Sequence, residues 1–209
     1  MKVVVKADIL GRNDAAAAEN AALFAQHGIY ALNLLGSPGA GKTSLLERTL
    51  QELTGDLRVA VVEGDLFTTK DAARIERCGA PVVQINTSGG CHLDALDLLV
   101  IENVGNLVCP AEFALGEDEK AVVLSITEGD DKPLKYPLVF KESAAAVLSK
   151  VDILPYTNFD MASARADITA LHPGIAIFPV SCQTGEGLAD WYAWLRAQVA
   201  AKKAGKEVR

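Results

Sequence analysis

Short apolar runs recur along the chain at Tyr30–Leu35, Arg58–Val62, Pro81–Ile85, Leu98–Ile101, Ala121–Ile126, Ala144–Leu148 and Ile175–Val180. Each has the length of a strand and is apolar on both faces, as in a strand with a helix layer above and below. Between several of them the apolar positions switch to helical spacing, at Thr43–Leu53, Thr69–Cys78, Met161–Leu171 and Leu188–Ala201. This alternation predicts an α/β fold of three layers, a mainly parallel sheet covered by helices on both faces. Ahead of the first strand an alanine-rich helix is expected, N-capped by Asn13 or Asp14 and closed after His27 by Gly28. Met1–Gly11 is expected to lie extended on the surface, and the polar stretch Ala201–Arg209 to fray. No repeat or low-complexity linker interrupts the pattern. The reading is therefore one domain over 1–209, with an N-terminal extension and helix at 1–29, a core at 30–200 and a tail at 201–209.

Between the first strand and its helix stands Gly36-Ser37-Pro38-Gly39-Ala40-Gly41-Lys42-Thr43, a complete G-x-x-x-x-G-K-[ST] phosphate loop, with Ser44 opening the helix behind it. A strand feeding such a turn into a helix N-terminus aims backbone N–H groups and the positive helix end at a phosphate chain. Lys42 is placed to reach the β- and γ-phosphates, and the Thr43 hydroxyl to ligate Mg²⁺. In a parallel sheet the ligand lies beyond the carboxyl ends of the strands, where this loop falls. The fold class is thus a P-loop NTPase domain, and the chain binds a nucleoside phosphate.

Ala144–Asp152 delivers Lys150 and Asp152 at another strand end, in the position of the [NT]-K-x-D motif of GTPases. A carboxylate there accepts from the N1–H and N2–H₂ of guanine, a donor pair that adenine lacks. Ser149 stands where the motif has Asn, so a weaker or water-mediated contact to the base edge or the phosphate loop is expected. Ser181-Cys182-Gln183 ends a further strand and resembles the S-A-K loop that closes over guanine. Carboxylates at strand ends near a phosphate loop can hold Mg²⁺ and orient the attacking water, and Asp65 and Glu102 are favoured. Capping of a helix near Thr69 by Asp65 or Asp71 is the competing explanation. With no Gln or Arg finger visible, slow intrinsic turnover is expected, as for a switch.

Composition narrows the partners. A net charge of −7 argues against a nucleic-acid surface and leaves proteins or metal ions as easier ligands. Charged residues interrupt every apolar run before the length of a membrane helix, and Met1–Ala7 carries no signal-peptide pattern. A cytoplasmic, reducing setting is the default, in which Cys78, Cys91, Cys109 and Cys182 are not expected to form disulfides. Cys91 and His92 are adjacent in a Gly-rich loop, and Cys109 follows the next strand. Two or three such donors are too few to close a structural zinc site in one chain, whereas doubling across a two-fold axis supplies four or more. Ni²⁺ and Zn²⁺ both accept these donors. A buried cysteine pair beside a surface histidine would fit the same residues.

At this point the chain resembles the HypB family, the nickel-insertion GTPases of hydrogenase maturation. Besides Gly36–Thr43, the matching stretches are Glu63–Leu66 with Asp71–Ile75, Gln84–Thr87, Cys91–Ala95, Ile101–Ala111 and Thr127–Pro137, within roughly residues 30–195. The Ile101–Ala111 and Thr127–Pro137 strings are far more specific than the phosphate loop. The resemblance implies a SIMIBI-type GTPase that forms a homodimer, turns over GTP to GDP with Mg²⁺, and binds Ni²⁺ or Zn²⁺ between subunits. It implies that Cys91, His92 and Cys109 ligate that metal and that a lysine in Lys132–Lys135 contacts the neighbour's nucleotide. Implied partners are hydrogenase maturation proteins and the precursor of the hydrogenase large subunit.

Three departures limit the carry-over. No Cys-rich motif or histidine run stands before the phosphate loop, and Leu96 replaces a further histidine that some members use. Only Leu93–Asp97 separate His92 from the strand at Leu98, where relatives carry a longer helical segment. The join Asp94-Ala95-Leu96-Asp97 fits two family segments with the middle removed. Rival readings are a urease-type nickel GTPase, a metal-storage or zinc-binding protein with a structural nucleotide, and a small-molecule kinase. The urease type carries Cys-Pro-His where this chain has Cys91-His92. Storage is opposed by a total of three histidines, and a kinase by the lack of clustered arginines.

Overall fold

The computed structural model describes residues 6–64, 82–84 and 96–205. Its centre is a seven-stranded sheet formed by β1 (Tyr30–Gly36), β2 (Val59–Glu63), β3 (Val82–Gln84), β4 (Leu98–Glu102), β5 (Glu119–Ser125), β6 (Ala145–Ser149) and β7 (Ala176–Val180). The spatial order is β3-β2-β4-β1-β5-β6-β7, and every neighbouring pair is parallel. The chain thus places β2 and β3 on one side of β1, returns to insert β4 between β2 and β1, and then crosses to the other side of β1 for β5 to β7. That reversal opens a crevice beyond the carboxyl end of β1.

Register brings the strand ends to one edge. Leu34 lies beside Glu102, and Glu102 beside Glu63. On the other half, Ser125 lies beside Ser149, and Ser149 beside Val180. All seven strands coincide with the apolar runs; β1, β2, β4, β5 and β6 are buried almost throughout, which leaves few polar positions inside them.

Among the described residues the α-helices are α1 (Lys6–His27), α2 (Lys42–Leu53), α3 (Cys109–Glu112), α4 (Lys132–Lys135), α5 (Pro137–Lys141), α6 (Met161–Leu171) and α7 (Leu188–Lys203). Alternation along β1 divides the core: Leu32 and Leu34 face Leu45, Leu46 and Leu50 of α2 and Trp191 and Leu195 of α7. Leu35 faces the opposite layer with Phe140, Ile168 and Leu148, and Ala31 packs with Phe24 of α1. In α2 the leucines at helical spacing are those buried.

Two terminal expectations are corrected. Residues 6–11 are helical, so neither Asn13 nor Asp14 is a cap; Asn13 and Asn20 instead donate to the carbonyls of Ala114 and Leu115 at 3.0 and 2.9 Å. The far end of the core helix does not fray at Ala201. Lys202 pairs with Asp118 at 2.5 Å and Lys203 with Asp97 at 2.7 Å, because the amino ends of β5 and β4 present carboxylates there. Gly28, at φ 64, closes α1 as expected. The segment Thr69–Cys78, read as a helix, lies outside the described residues. The short helices α3, α4 and α5 have no counterpart in the sequence reading; each is about one turn and carries a proline in its first two positions, Pro110, Pro133 or Pro137.

Candidate functional site

The phosphate loop leaves β1 at Gly36 and enters α2 through Gly41, whose φ of 100° is left-handed. A side chain there would be strained. The Lys42 side chain is buried and folds back over its own loop, its Nζ donating to the carbonyls of Gly36 at 3.2 Å and Ser37 at 3.3 Å. The Thr43 hydroxyl donates to Glu102 Oε1 at 2.8 Å. Glu102 ends β4 and is buried, as is Glu63 in the same register row. These two acids converge because β2 and β4 are adjacent parallel strands cut to the same length. Asp65 lies outside the described residues.

The second wall comes from β6. Lys150 follows it with φ 66°, a left-handed conformation that is rare outside glycine. This bend sends its Nζ back to the Gly39 carbonyl at 2.8 Å, so the lysine lies along the phosphate loop. Ser149 donates to the Ala40 carbonyl at 2.5 Å. Toward the phosphate loop the expectation of a weaker or water-mediated contact is thereby corrected: the serine reaches the loop directly. Asp152 follows on the 3₁₀ turn Val151–Tyr156.

Ser181 and Cys182 close the third side. The Ser181 hydroxyl accepts from the N–H groups of Gln183 and Thr184, both at 3.1 Å, and turns the chain back on itself. Arg48 of α2 donates from Nε to the Cys182 carbonyl at 2.8 Å. Burial pushes the Cys182 thiol up; Arg48 opposes this, and Asp152 and Glu47 add to it. Between these walls lies a cavity of about 660 Å³ lined by Gly41, Ser44, Arg48, Lys150, Asp152 and Cys182, among others. Sequence reasoning missed Arg48. A signal existed, since Gly41, Ser44 and Arg48 recur at the spacing of one helix face.

Of the metal candidates, Cys91 and His92 lie outside the described residues. Cys109 is exposed at the start of α3 with a free thiol. Among the described residues no group of three or more His, Cys, Asp or Glu side chains could hold a metal ion. The segment leading to Cys109 rests on the phosphate loop: Asn106 bridges to Gly36, and a Cβ on Gly105 would stand 2.9 Å from Pro38 Cγ. Lys135 is exposed and pairs with Asp131 at 2.5 Å, and Lys132 lies 5.1 Å over the Tyr136 ring. No helix among the described residues is long and apolar enough to cross a membrane.

Residues 30–179 match the family described as CobW/HypB/UreG, nucleotide-binding domain. The chain is 49% identical to the hydrogenase maturation factor HypB of Rhizobium leguminosarum bv. viciae, an alignment covering 95% of this chain and 71% of that protein. This chain belongs to the HypB family. The HypB fold extends to solved structures. HypB from Archaeoglobus fulgidus superposes with a TM-score of 0.83 at 33% identity, covering 91% of this chain and all of that one. HypB from Helicobacter pylori in complex with nickel gives a TM-score of 0.82 at 37% identity, over 94% and 97% of the two chains. The P-loop NTPase architecture read from the strand–helix alternation is therefore that of HypB.

Proposed function

We propose that this chain is a GTP-hydrolysing nickel metallochaperone that helps insert nickel into [NiFe]-hydrogenase, with nucleotide state gating dimerisation and metal binding. The observation that carries the reading is the cavity lined by Gly41 at the end of the phosphate loop, by Ser44 and Arg48 of α2, by Lys150 and Asp152, and by Cys182 and Gln183. It sets the Asp152 carboxylate, suited to the N1–H and N2–H₂ of guanine, beside the end of the phosphate loop. Gly36 to Ser44 would hold the phosphates, Lys42 moving from its own carbonyls to the β- and γ-oxygens.

The donor chemistry suits Mg²⁺, a hard cation that takes oxygen ligands: the Thr43 hydroxyl and the Glu102 carboxylate are adjacent at the mouth of the phosphate loop. Thr43 and Glu102, with Asp65, would hold the ion, which neutralises phosphate charge when bound. Glu102 and Asp65 would also orient the attacking water. The proposed turnover is slow, as for a switch.

For the metal, membership of HypB and the nickel complex of the Helicobacter pylori relative support Ni²⁺ as cargo, with Zn²⁺ able to take the same donors. Cys91, His92 and Cys109 are the proposed ligands, completed by the same residues of a second copy. Lys132 or Lys135 is proposed to reach that copy's nucleotide. The proposed partners are maturation proteins and the hydrogenase large-subunit precursor, met as one domain in the cytoplasm, where thiols stay reduced.

The test is a Ni²⁺ titration of protein loaded with GDP or a non-hydrolysable GTP analogue, repeated on Cys109→Ala. Nickel affinity that depends on the nucleotide, and loses that dependence in the variant, is the expected result. Equal affinity in both states would leave a metal-storage protein with a structural nucleotide as the better description.

A further inference from the structure

The wall of the base cavity contributed by Ser181–Gln183 is fastened to α2 by one side chain outside the recognised motifs. Arg48 Nε donates to the Cys182 carbonyl at 2.8 Å. Arg48 is itself held from behind, because the Tyr192 hydroxyl of α7 donates to its backbone carbonyl at 3.2 Å. The turn's own bonds, Gln183 and Thr184 to Ser181 Oγ and Gly185 N–H to the Ser181 carbonyl, close it on itself. The Arg48 bond adds a tie to the helix that begins at the phosphate loop. A peptide unit is planar, so anchoring the Cys182 carbonyl also fixes the plane of the Cys182–Gln183 peptide at the cavity wall. The phosphate end and the base end of the cavity are thus joined through a single helix face, Gly41, Ser44 and Arg48.

We propose that Arg48 is a positioning residue of the guanine pocket, setting through the Cys182 carbonyl how long and how selectively the nucleotide is held. This rests on the cavity being the base site, as proposed above. Holding the turn in its bound shape before the base arrives removes an ordering cost from binding, so the effect falls on nucleotide release more than on the chemical step. The hydrogen bond, not the charge, is the active element. Glutamine places an amide nitrogen at the same distance along the side chain as Arg Nε and can donate to the same carbonyl.

The experiment measures release of a fluorescent GDP analogue, KM and kcat for GTP, and preference for GTP over ITP, which lacks the 2-amino group. Wild type, Arg48→Ala, Arg48→Gln and Asp152→Asn are compared, with thermal melting to confirm folding. Arg48→Ala is expected to speed GDP release and raise KM by about three- to fivefold, the scale of one solvent-exposed hydrogen bond. It should narrow GTP/ITP preference while kcat changes much less. Arg48→Gln is expected to restore most of the loss, and it serves as the folded comparison if the alanine variant is unstable. Unchanged release in Arg48→Ala, or a loss in Arg48→Gln as large as in Arg48→Ala, overturns the proposal. Asp152→Asn separates the two readings, since an amide there should turn preference from GTP toward XTP. If that shift occurs and Arg48→Ala is silent, only the positioning role falls; if it does not, the base lies elsewhere and both readings fall.

Discussion

The hydroxyl of Ser149 donates to the carbonyl of Ala40 at 2.5 Å, joining residues 109 positions apart in the chain. Ser149 is the last residue of β6, and Ala40 sits inside the phosphate loop. A serine thereby does for the loop what a longer asparagine amide would do in the usual motif, with Lys150 adding its own bond to Gly39 alongside. The two bonds hold the loop in its open cradle shape while Lys42 is still folded onto it.

Ser149→Ala is therefore expected to weaken GDP and GTP binding together. One buried hydrogen bond contributes about 1 kcal/mol, so a five- to tenfold rise in Kd for both is the rough scale. Isothermal titration with each nucleotide checks this. A change confined to one nucleotide would show that Ser149 acts on the γ-phosphate side instead of on the loop as a whole.

At the opposite edge of the sheet, Tyr30 donates its hydroxyl to Glu119 Oε2 at 2.7 Å, and Glu119 Oε1 is buried without a hydrogen-bond partner. Burial raises the Glu119 pKa above 4.5; the Tyr30 bond opposes this and the charge of Asp118 adds to it. The folded state thus holds this proton more tightly than the unfolded chain does. Its contribution is fully present below pH ~4.5 and is lost as pH rises through the folded value. Glu119→Gln cannot ionise, so its melting temperature relative to wild type should improve as pH rises from about 4.5 to the folded value and level off above it. Melting curves between pH 4 and 8 read the difference; a constant offset would mean that Glu119 titrates normally.

Asp97 behaves in the opposite sense. Arg58 donates to it from Nε at 3.0 Å and Nη2 at 2.6 Å, and Lys203 adds a contact at 2.7 Å. These cations hold its carboxyl well below the usual range, the Arg58 bonds foremost. The stabilisation is present above the ordinary value of 3.8 and is lost as pH falls through the folded one. Arg58 and Lys203 are largely in solvent, so screening keeps the effect modest. Asp97→Asn should lower the melting temperature at pH 7 by roughly 2–4 °C, with the gap closing as pH drops toward 2. A gap independent of pH would assign the loss to packing.

How far the chain could be read depends on how far apart the partners lie. The seven strands were legible as short apolar runs and α6 by its helical spacing; at its start the Asp160 Oδ1 accepts from the N–H groups of Ala162 and Ser163. The phosphate loop, Lys150 and Asp152 were legible as local motifs. The bonds Ser149–Ala40 and Arg48–Cys182 were not, since each is made by a common residue type with a backbone carbonyl more than 100 positions away. The same reason hid the start of α1. Asn13 looked like a cap, but a carbonyl at Ala114 claims its amide and the helix continues past it. Lys202 and Lys203 looked like a loose polar end until Asp118 and Asp97 were brought beneath them.

The segment between Glu102 and Cys109 offers the sharpest test of a link between nucleotide and metal. Thr43 holds Glu102 at one end, the exposed Cys109 thiol stands at the other, and Asn106 bridges to Gly36 between them. Gly105 is the point of closest approach: an added Cβ would meet the Pro38 side chain at 2.9 Å and its backbone N and Cα at 3.0 and 3.1 Å. The backbone of the phosphate loop cannot give way as a flexible side chain would. Gly105→Ala should therefore lift the segment from the loop while leaving the sheet beneath it intact. The expected outcome is weaker GDP binding, together with Ni²⁺ affinity that no longer differs between GDP and a non-hydrolysable GTP analogue. Both are measured on one protein by paired titrations. If nucleotide affinity falls while the nickel difference survives, the proposed coupling does not run through this contact.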